Sequence, residues 1–295
     1  MSTRVLGDVA MQGSAEVQAV SQTAQNESRI ERKTPLKPVP QAAGGARGSL
    51  GIALMYLWNT TRNTLTDVAF FGFLIILPVG MYLFFSTANA TDPATELVVK
   101  RYIMVSMATY GAMGAALSAG NLLQSDRATG WFRQLMLTKM TPTMFLTVRT
   151  IGIVLLLIPS IVAVLIAGRI TGVEVEFHIY LAIIGVAILV LLPFIVMGLA
   201  IGLWVSQKAS SGVTTLVMLG MAMLGGLFIP THLMPESLQD ISKFLPSYWA
   251  NEISRLILTG DPLEPRGVIT LAVWFAGAAL LAILGYRRAV TTAKR

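Results

Sequence analysis

Cysteine is absent from the 295-residue chain. Disulfides, thiolate metal sites and a cysteine nucleophile are therefore excluded. Charge is scarce as well: Asp, Glu, Lys and Arg together make up 13% of the residues, about half the share usual in a soluble domain. Histidine occurs only as His178 and His232, and His232 with Glu236 lacks the HExxH geometry in which two histidines share a helix face. Neither GxxxxGK followed by Ser or Thr nor a dinucleotide glycine fingerprint is present, so the chain has no recognisable loop for cradling ATP phosphates. What it does have is apolar residues. They reach 54% before the 26 glycines are counted, and the polar remainder is too small to cover a soluble fold of this size. The composition points to an all-α polytopic membrane protein, since an apolar helix satisfies its own backbone in lipid.

A spanning helix needs roughly 20 predominantly apolar residues. Six stretches qualify, at about 68–85, 103–123, 151–167, 179–205, 213–228 and 268–285. None begins near the N-terminus behind a short basic segment, so no cleaved secretory signal is expected. Residues 1–48 are polar, rich in Gln, Ser, Ala and Pro, and show no helical periodicity. They predict a disordered cytoplasmic tail ahead of a membrane domain over 49–295.

Six spans place both termini on one side, and the basic residues choose which. With the termini inside, 16 of the 22 Lys and Arg residues are cytoplasmic and six are external, the bias that the positive-inside rule prefers. The net charge of +7 is thus read as an orientation signal, not as a nucleic-acid surface. Between 50 and 67 the chain is too short and polar to span. Leu50, Leu54, Leu57, Trp58 and Leu65 share one helical arc there, with Asn59, Arg62, Asn63, Thr66 and Asp67 away from it. That pattern predicts an N-terminal interfacial helix lying in the headgroup plane; a cytosolic extension of the first span is the alternative.

No Asp, Glu, Lys, Arg or His falls within the six segments as drawn. Intramembrane ionisable groups mark proton relays, ion pathways and catalytic centres, so their absence argues against a proton-coupled carrier, an intramembrane metalloenzyme or a voltage sensor. Driving energy must come from elsewhere. The segments do contain rows of small residues, Ala112, Ala116 and Gly120 in one, Gly198 and Gly202 in another. Such rows let helix backbones approach closely, here more readily within the subunit than across a dimer. Pro78, Pro159 and Pro193 are candidate kinks.

Two segments outside the spans carry more information. The longest cytoplasmic connection, from Ser125 to about Arg149, reads SDRATGWFRQLMLTKMTPTMFLTVR. Ser125 is a candidate cap for a short helix, with Arg127 and Arg133 charged and Trp131, Phe132, Leu135 and Met136 apolar, which gives a docking element on the basic face. The chain here resembles the membrane subunits of ABC-2 type exporters, whose second and third spans are joined by an acidic residue, Arg, two residues, Gly, then an apolar helix and a Pro. Asp126, Arg127, Gly130, Trp131, Leu135 and Pro142 follow that order; the family more often has Glu at the position of Asp126. The external segment 229–267 contains two short amphipathic patterns separated by Pro246. Its glycine-rich approach and its Pro and aromatic spacing look like the same family's external re-entrant helical hairpin between the fifth and sixth spans. Gly225, Gly226, Pro230, Met234, Pro235, Leu245, Pro246, Tyr248 and Trp249 carry that match.

The resemblance implies a permease half of an ATP-driven ABC exporter in the cell (plasma) membrane. Two permeases, a second copy or a homologue, would form the path. Separate P-loop ATPase chains would hold ATP and Mg, with no cofactor on this chain, and would couple through Asp126, Arg127, Gly130, Trp131, Arg133, Leu135 and Pro142. A hydrophobic or amphiphilic cargo such as a drug, antibiotic or lipid is the preferred substrate class, and a polysaccharide the lesser one. From a different class, an enzyme acting on membrane lipids could use Glu236, Asp240, Glu252 and Asp261 of the external segment. Against it, Asp240 with Lys243 and Glu252 with Arg255 have the three-residue spacing of simple surface ion pairs. A channel or scaffold without turnover is the third reading.

Overall fold

Lipid offers no hydrogen bonds, so a chain this apolar must pair its backbone within each segment. The computed structural model describes residues 68–88, 93–128 and 142–293, together with Gly51, Met55, Leu57, Trp58, Thr61 and Arg62. Among the described residues all regular structure is helical. The elements are α1 (Val68–Ala88), α2 (Pro93–Leu117), α3 (Ala119–Ala128), α4 (Pro142–Ile170), α5 (Phe177–Val190), α6 (Leu192–Trp204), α7 (Gln207–Leu224), a 3-10 turn (Thr231–Leu233), α8 (Glu236–Ser242), α9 (Pro246–Thr259) and α10 (Pro265–Ala293).

Each of the six segments expected to span is mainly helical in its described part, the fourth interrupted at Leu191 and the fifth ending at Leu224. Among the described residues, four stretches are long and apolar enough to cross a membrane: Thr95–Gln124, Thr147–Ile170, Phe177–Trp204 and Pro265–Arg288. Leu74–Thr87, within α1, is a shorter apolar helix. The α7 helix is not among the four, because Gln207, Lys208, Ser210, Ser211, Thr214 and Thr215 dilute its first half. The expected interfacial helix falls largely outside the described residues, although Gly51, Met55, Leu57, Trp58, Thr61 and Arg62 are helical. The expected tail over 1–48 lies wholly outside them.

Several boundaries differ from the hydropathy reading. The second segment begins at Pro93 rather than near 103, because a helix does not stop where its apolar run stops: Glu96 and Lys100 pair one turn apart at 2.5 Å and carry it outward. The end of the expected fifth span is also different, since α7 ends at Leu224 and residues 225–228 leave the helix. Ser125, the candidate cap, lies inside α3, which continues the second segment through to Ala128. Arg149, expected in a loop, is a buried residue of α4.

The second segment is the centre of the bundle, its most apolar window wholly enclosed by other parts of the chain, whereas that of the last segment is 17% buried. Met104, Met107, Tyr110, Met113 and Leu117 of α2 pack with Leu157 and Ile161 of α4 and Phe194 of α6. Two prolines shape the surroundings. Pro78 has no N–H for the Leu74 carbonyl one turn back, and the Ser160 hydroxyl donates to that carbonyl instead, at 3.0 Å. A Cβ on Gly111 would sit 2.8 Å from the Pro78 ring, so glycine makes this approach possible. Near Pro193 the helix is interrupted: Leu191 (φ −92, ψ −4) is a single turn residue between α5 and α6. Ser118 divides α2 from α3, its hydroxyl turned back to the Ala115 carbonyl at 2.6 Å, a bond of the kind that bends helices.

Candidate functional site

The residues expected to couple the chain to an ATPase fall mostly beyond what the structure describes. Gly130, Trp131, Arg133 and Leu135 lie outside the described residues. Asp126 and Arg127 are in the last turn of α3, and Pro142 opens α4, where the missing N–H of proline costs nothing. The structure does describe what that loop is attached to.

The α3 and α6 helices meet backbone to backbone. A Cβ on Gly120 would collide with the Gly198 carbonyl, one on Gly198 would lie 2.5 Å from the Leu117 carbonyl oxygen, and one on Gly202 would lie 2.5 Å from that of Gly120. The two rows of small residues seen in the sequence are therefore one seam inside the subunit. Without a hydrophobic drive between helices in lipid, such close dispersion contact is what holds them. Polar bonds flank the seam: Ser210 donates to Asn121 Oδ1 at 2.8 Å, and Gln124 Nε2 donates to the Val205 carbonyl. The α6 helix is tied in turn to α10, where Trp204 Nε1 donates to the Leu281 carbonyl at 2.8 Å and the Arg288 guanidinium stands 5.6 Å from the Trp204 ring centre. On the other flank, Leu57 and Thr61 reach α4 at Gly152, whose Cβ would lie 3.3 Å from Leu57 Cδ1.

The second expected site, the hairpin, is fully described. The α7 helix ends in a Schellman motif: the Leu227 N–H bonds the Ala222 carbonyl at 3.0 Å and the Gly226 N–H that of Met223 at 3.4 Å. Closing those bonds requires a left-handed residue, and Gly226 supplies it at φ +79. Gly225 serves differently. Ser247 at the start of α9 donates to the Met221 carbonyl at 2.7 Å, and a Cβ on Gly225 would lie 2.7 Å from Ser247 Cβ. Tyr102 of α2 donates to the Gly226 carbonyl at 3.0 Å, so the turn is held from both sides.

Pro230 precedes the 3-10 turn, Met234 follows it, Pro235 caps α8, and Pro246 begins α9. The two short helices separated by Pro246 are thus present. Trp249 lies over Gly267 at the start of α10, where a Cβ would come 2.5 Å from its ring, and its Nε1 donates to the Lys243 carbonyl at 2.7 Å. Tyr248 meets the Trp249 ring edge-on at 5.0 Å. Trp274 Nε1 donates to the Phe244 carbonyl at 2.8 Å, which ties the segment between α8 and α9 to α10.

The acids once considered for lipid chemistry are partly accounted for. Asp240 pairs with Lys243 at 3.1 Å, and Arg255 forms a two-pronged contact with Glu252. Hydrogen bonding to Glu252 raises the Arg255 pKa, and burial with nearby Glu252 and Glu264 pushes the Tyr248 phenol above its usual 10.0. Both pairs are charge-compensated.

A sequence profile described as ABC-2 type transporter matches residues 53–259, which takes in the coupling loop and the hairpin together. The chain belongs to the ABC-2 type transporter family. This ABC-2 permease is also similar to the protein named "Putative transport permease YvfS" of Bacillus subtilis (strain 168), at 25% identity over 214 residues, 72% of this chain and 87% of the relative. Membership makes it a multi-pass membrane subunit for transport and not an enzyme. Some of its key contacts had only faint sequence signals. Ser247 sits unremarked between Pro246 and Tyr248, and Tyr102 precedes the apolar run. Ser160 was findable only by asking which group replaces the N–H that Pro78 lacks.

Proposed function

We propose that this permease is half of an ATP-driven exporter in the plasma membrane, with both termini cytoplasmic, a second permease copy or homologue completing the path, and separate P-loop ATPase subunits supplying the work. Its cargo is a hydrophobic or amphiphilic molecule: a drug, antibiotic or lipid. The 16-to-6 split of basic residues supports the orientation, and the lack of a phosphate-binding loop supports an external ATPase.

The observation that carries the reading is the glycine seam between α3 and α6. Force arriving at Asp126, Arg127 and the segment through Gly130, Trp131, Arg133, Leu135 and Pro142 enters α3, and α3 cannot slide past α6 without breaking backbone contact. The α6 helix is joined to α10 through Trp204, so three inner segments move as one. The interruptions at Ser118 and Leu191 are the natural hinges against the outer bundle, which the hairpin plugs. Packed seams have discrete arrangements rather than continuous ones, and this suits alternating exposure of a path.

Co-purification tests the coupling. Trp131→Ala removes an aromatic anchor of the kind that dominates interfaces, and it is expected to weaken ATPase association with the spans still inserted. Full ATPase stoichiometry and unchanged substrate-stimulated turnover in that variant would refute the assignment. Orientation has its own test, made clean by the cysteine-free sequence: Glu174→Cys should react with an impermeant thiol reagent in intact cells while Lys139→Cys is protected, and the reverse pattern would overturn it.

A further inference from the structure

A groove of about 600 Å³ runs between α4 and α5 near their hairpin-side ends. Its walls include Leu165, Ile166, Phe177, Tyr180 and Leu181, and Arg169 is the one charged residue lining it. Both walls belong to stretches able to cross a membrane, so the medium against this groove is bilayer. Ile166, Phe177 and Leu181 are 54%, 75% and 55% exposed, leaving an apolar channel that nothing else in the described chain covers. Its size is that of an ordinary small-molecule site, which typically runs about 300–1,000 Å³ with few polar groups among apolar walls.

Arg169 sits in the last turn of α4 and forms no ion pair among the described residues. Of the neighbouring acids, Glu176 pairs with His178 at 3.1 Å, and Arg101 donates to the Glu174 backbone carbonyl at 3.2 Å. The loop beyond Arg169 is rigid. Thr171 bonds the Tyr82 hydroxyl at 2.5 Å and Lys100 reaches its carbonyl at 3.3 Å, while Tyr180 donates to the Val173 carbonyl at 3.1 Å. Arg101 adds positive charge at the same end, Lys100 being paired with Glu96, and Phe177 and Tyr180 put aromatic rings where a headgroup layer favours them.

We propose that this groove is a binding site for an anionic phospholipid, one acyl chain lying between α4 and α5 and the headgroup phosphate resting on Arg169. The apolar wall accounts for the chain and the guanidinium for the charge. The proposal does not rest on the transport reading.

Native mass spectrometry of the full-length protein tests it, after delipidation in mild detergent and titration with phosphatidylglycerol or phosphatidylcholine of equal chain length. The wild type should retain phosphatidylglycerol preferentially. Arg169→Gln should weaken that retention about fivefold, the effect of roughly one basic contact with an anionic lipid, and Arg169→Lys should largely restore it. Leu181→Trp, which fills the groove, should reduce retention of both lipids. Arg266→Gln, another exposed cation near the hairpin, should change nothing, and glycerol phosphate should not compete. Unchanged retention in Arg169→Gln, an equal loss in Arg266→Gln, full retention in Leu181→Trp or displacement by glycerol phosphate would each overturn the proposal.

Discussion

Gly202→Ala puts the seam to a quantitative test. The added Cβ would lie 2.5 Å from the Gly120 carbonyl oxygen and 2.6 Å from its Cα. Both are backbone atoms of a packed helix, so no side chain can swing aside. The α3 and α6 helices must separate by about 0.5–1 Å, a gap that forfeits roughly a quarter to a half of each dispersion well along the contact. Overpacking of this type costs about 1–3 kcal/mol. Alanine gains up to about 1 kcal/mol over glycine in helix propensity, which offsets only part of it. A net loss of about 1–2 kcal/mol is expected, equivalent to a melting temperature lower by about 2–8 °C at this chain size. The control is Gly185→Ala on α5, where a Cβ meets nothing within 4 Å and the propensity gain should appear alone. Thermal unfolding of the purified variants in one mild detergent reads both. If Gly202→Ala melts as high as Gly185→Ala, the seam is not close-packed in solution and the lever built on it fails.

Two further substitutions probe the scaffold. Gly226→Ala should cost about 1–2 kcal/mol for placing a side chain in the left-handed region, plus a collision with Thr231 Cγ2, 2.6 Å from the new Cβ; a thermal midpoint within error of wild type would contradict the Schellman turn. Ser160→Ala leaves the Leu74 carbonyl without its donor, since Pro78 has no N–H to offer. The loss should be about 1–3 kcal/mol, the usual cost of an orphaned buried group, and an unaltered midpoint in the same thermal assay would show that another group takes over.

Composition and periodicity determined a good deal by themselves. A chain with 13% charge must bury its backbone polarity in helices, and the order of apolar runs announced six helical segments with a two-helix hairpin between the last two. The two short helices separated by Pro246 were also legible, because turn and capping residues act locally. Helix ends were less legible: the run from Glu96 to Arg101 carries three charged residues yet is helical, since propagation needs only backbone bonds and a helix-compatible pair, not uninterrupted hydrophobicity. Leu191 and Ser118 interrupt helices that hydropathy draws as uninterrupted. Small-residue rows announced a close approach without naming the partner. Only the tertiary structure decided that Gly120 faces Gly198 and Gly202, that Ser160 serves Leu74 and that Gly267 receives the Trp249 ring. Each of these pairs is far apart in sequence, and a periodic pattern records which face of a helix is smooth but holds no information about which other face comes to lie against it. That choice is made by the packing of the whole bundle, where contact falls off within an ångström and one arrangement of backbones excludes the rest.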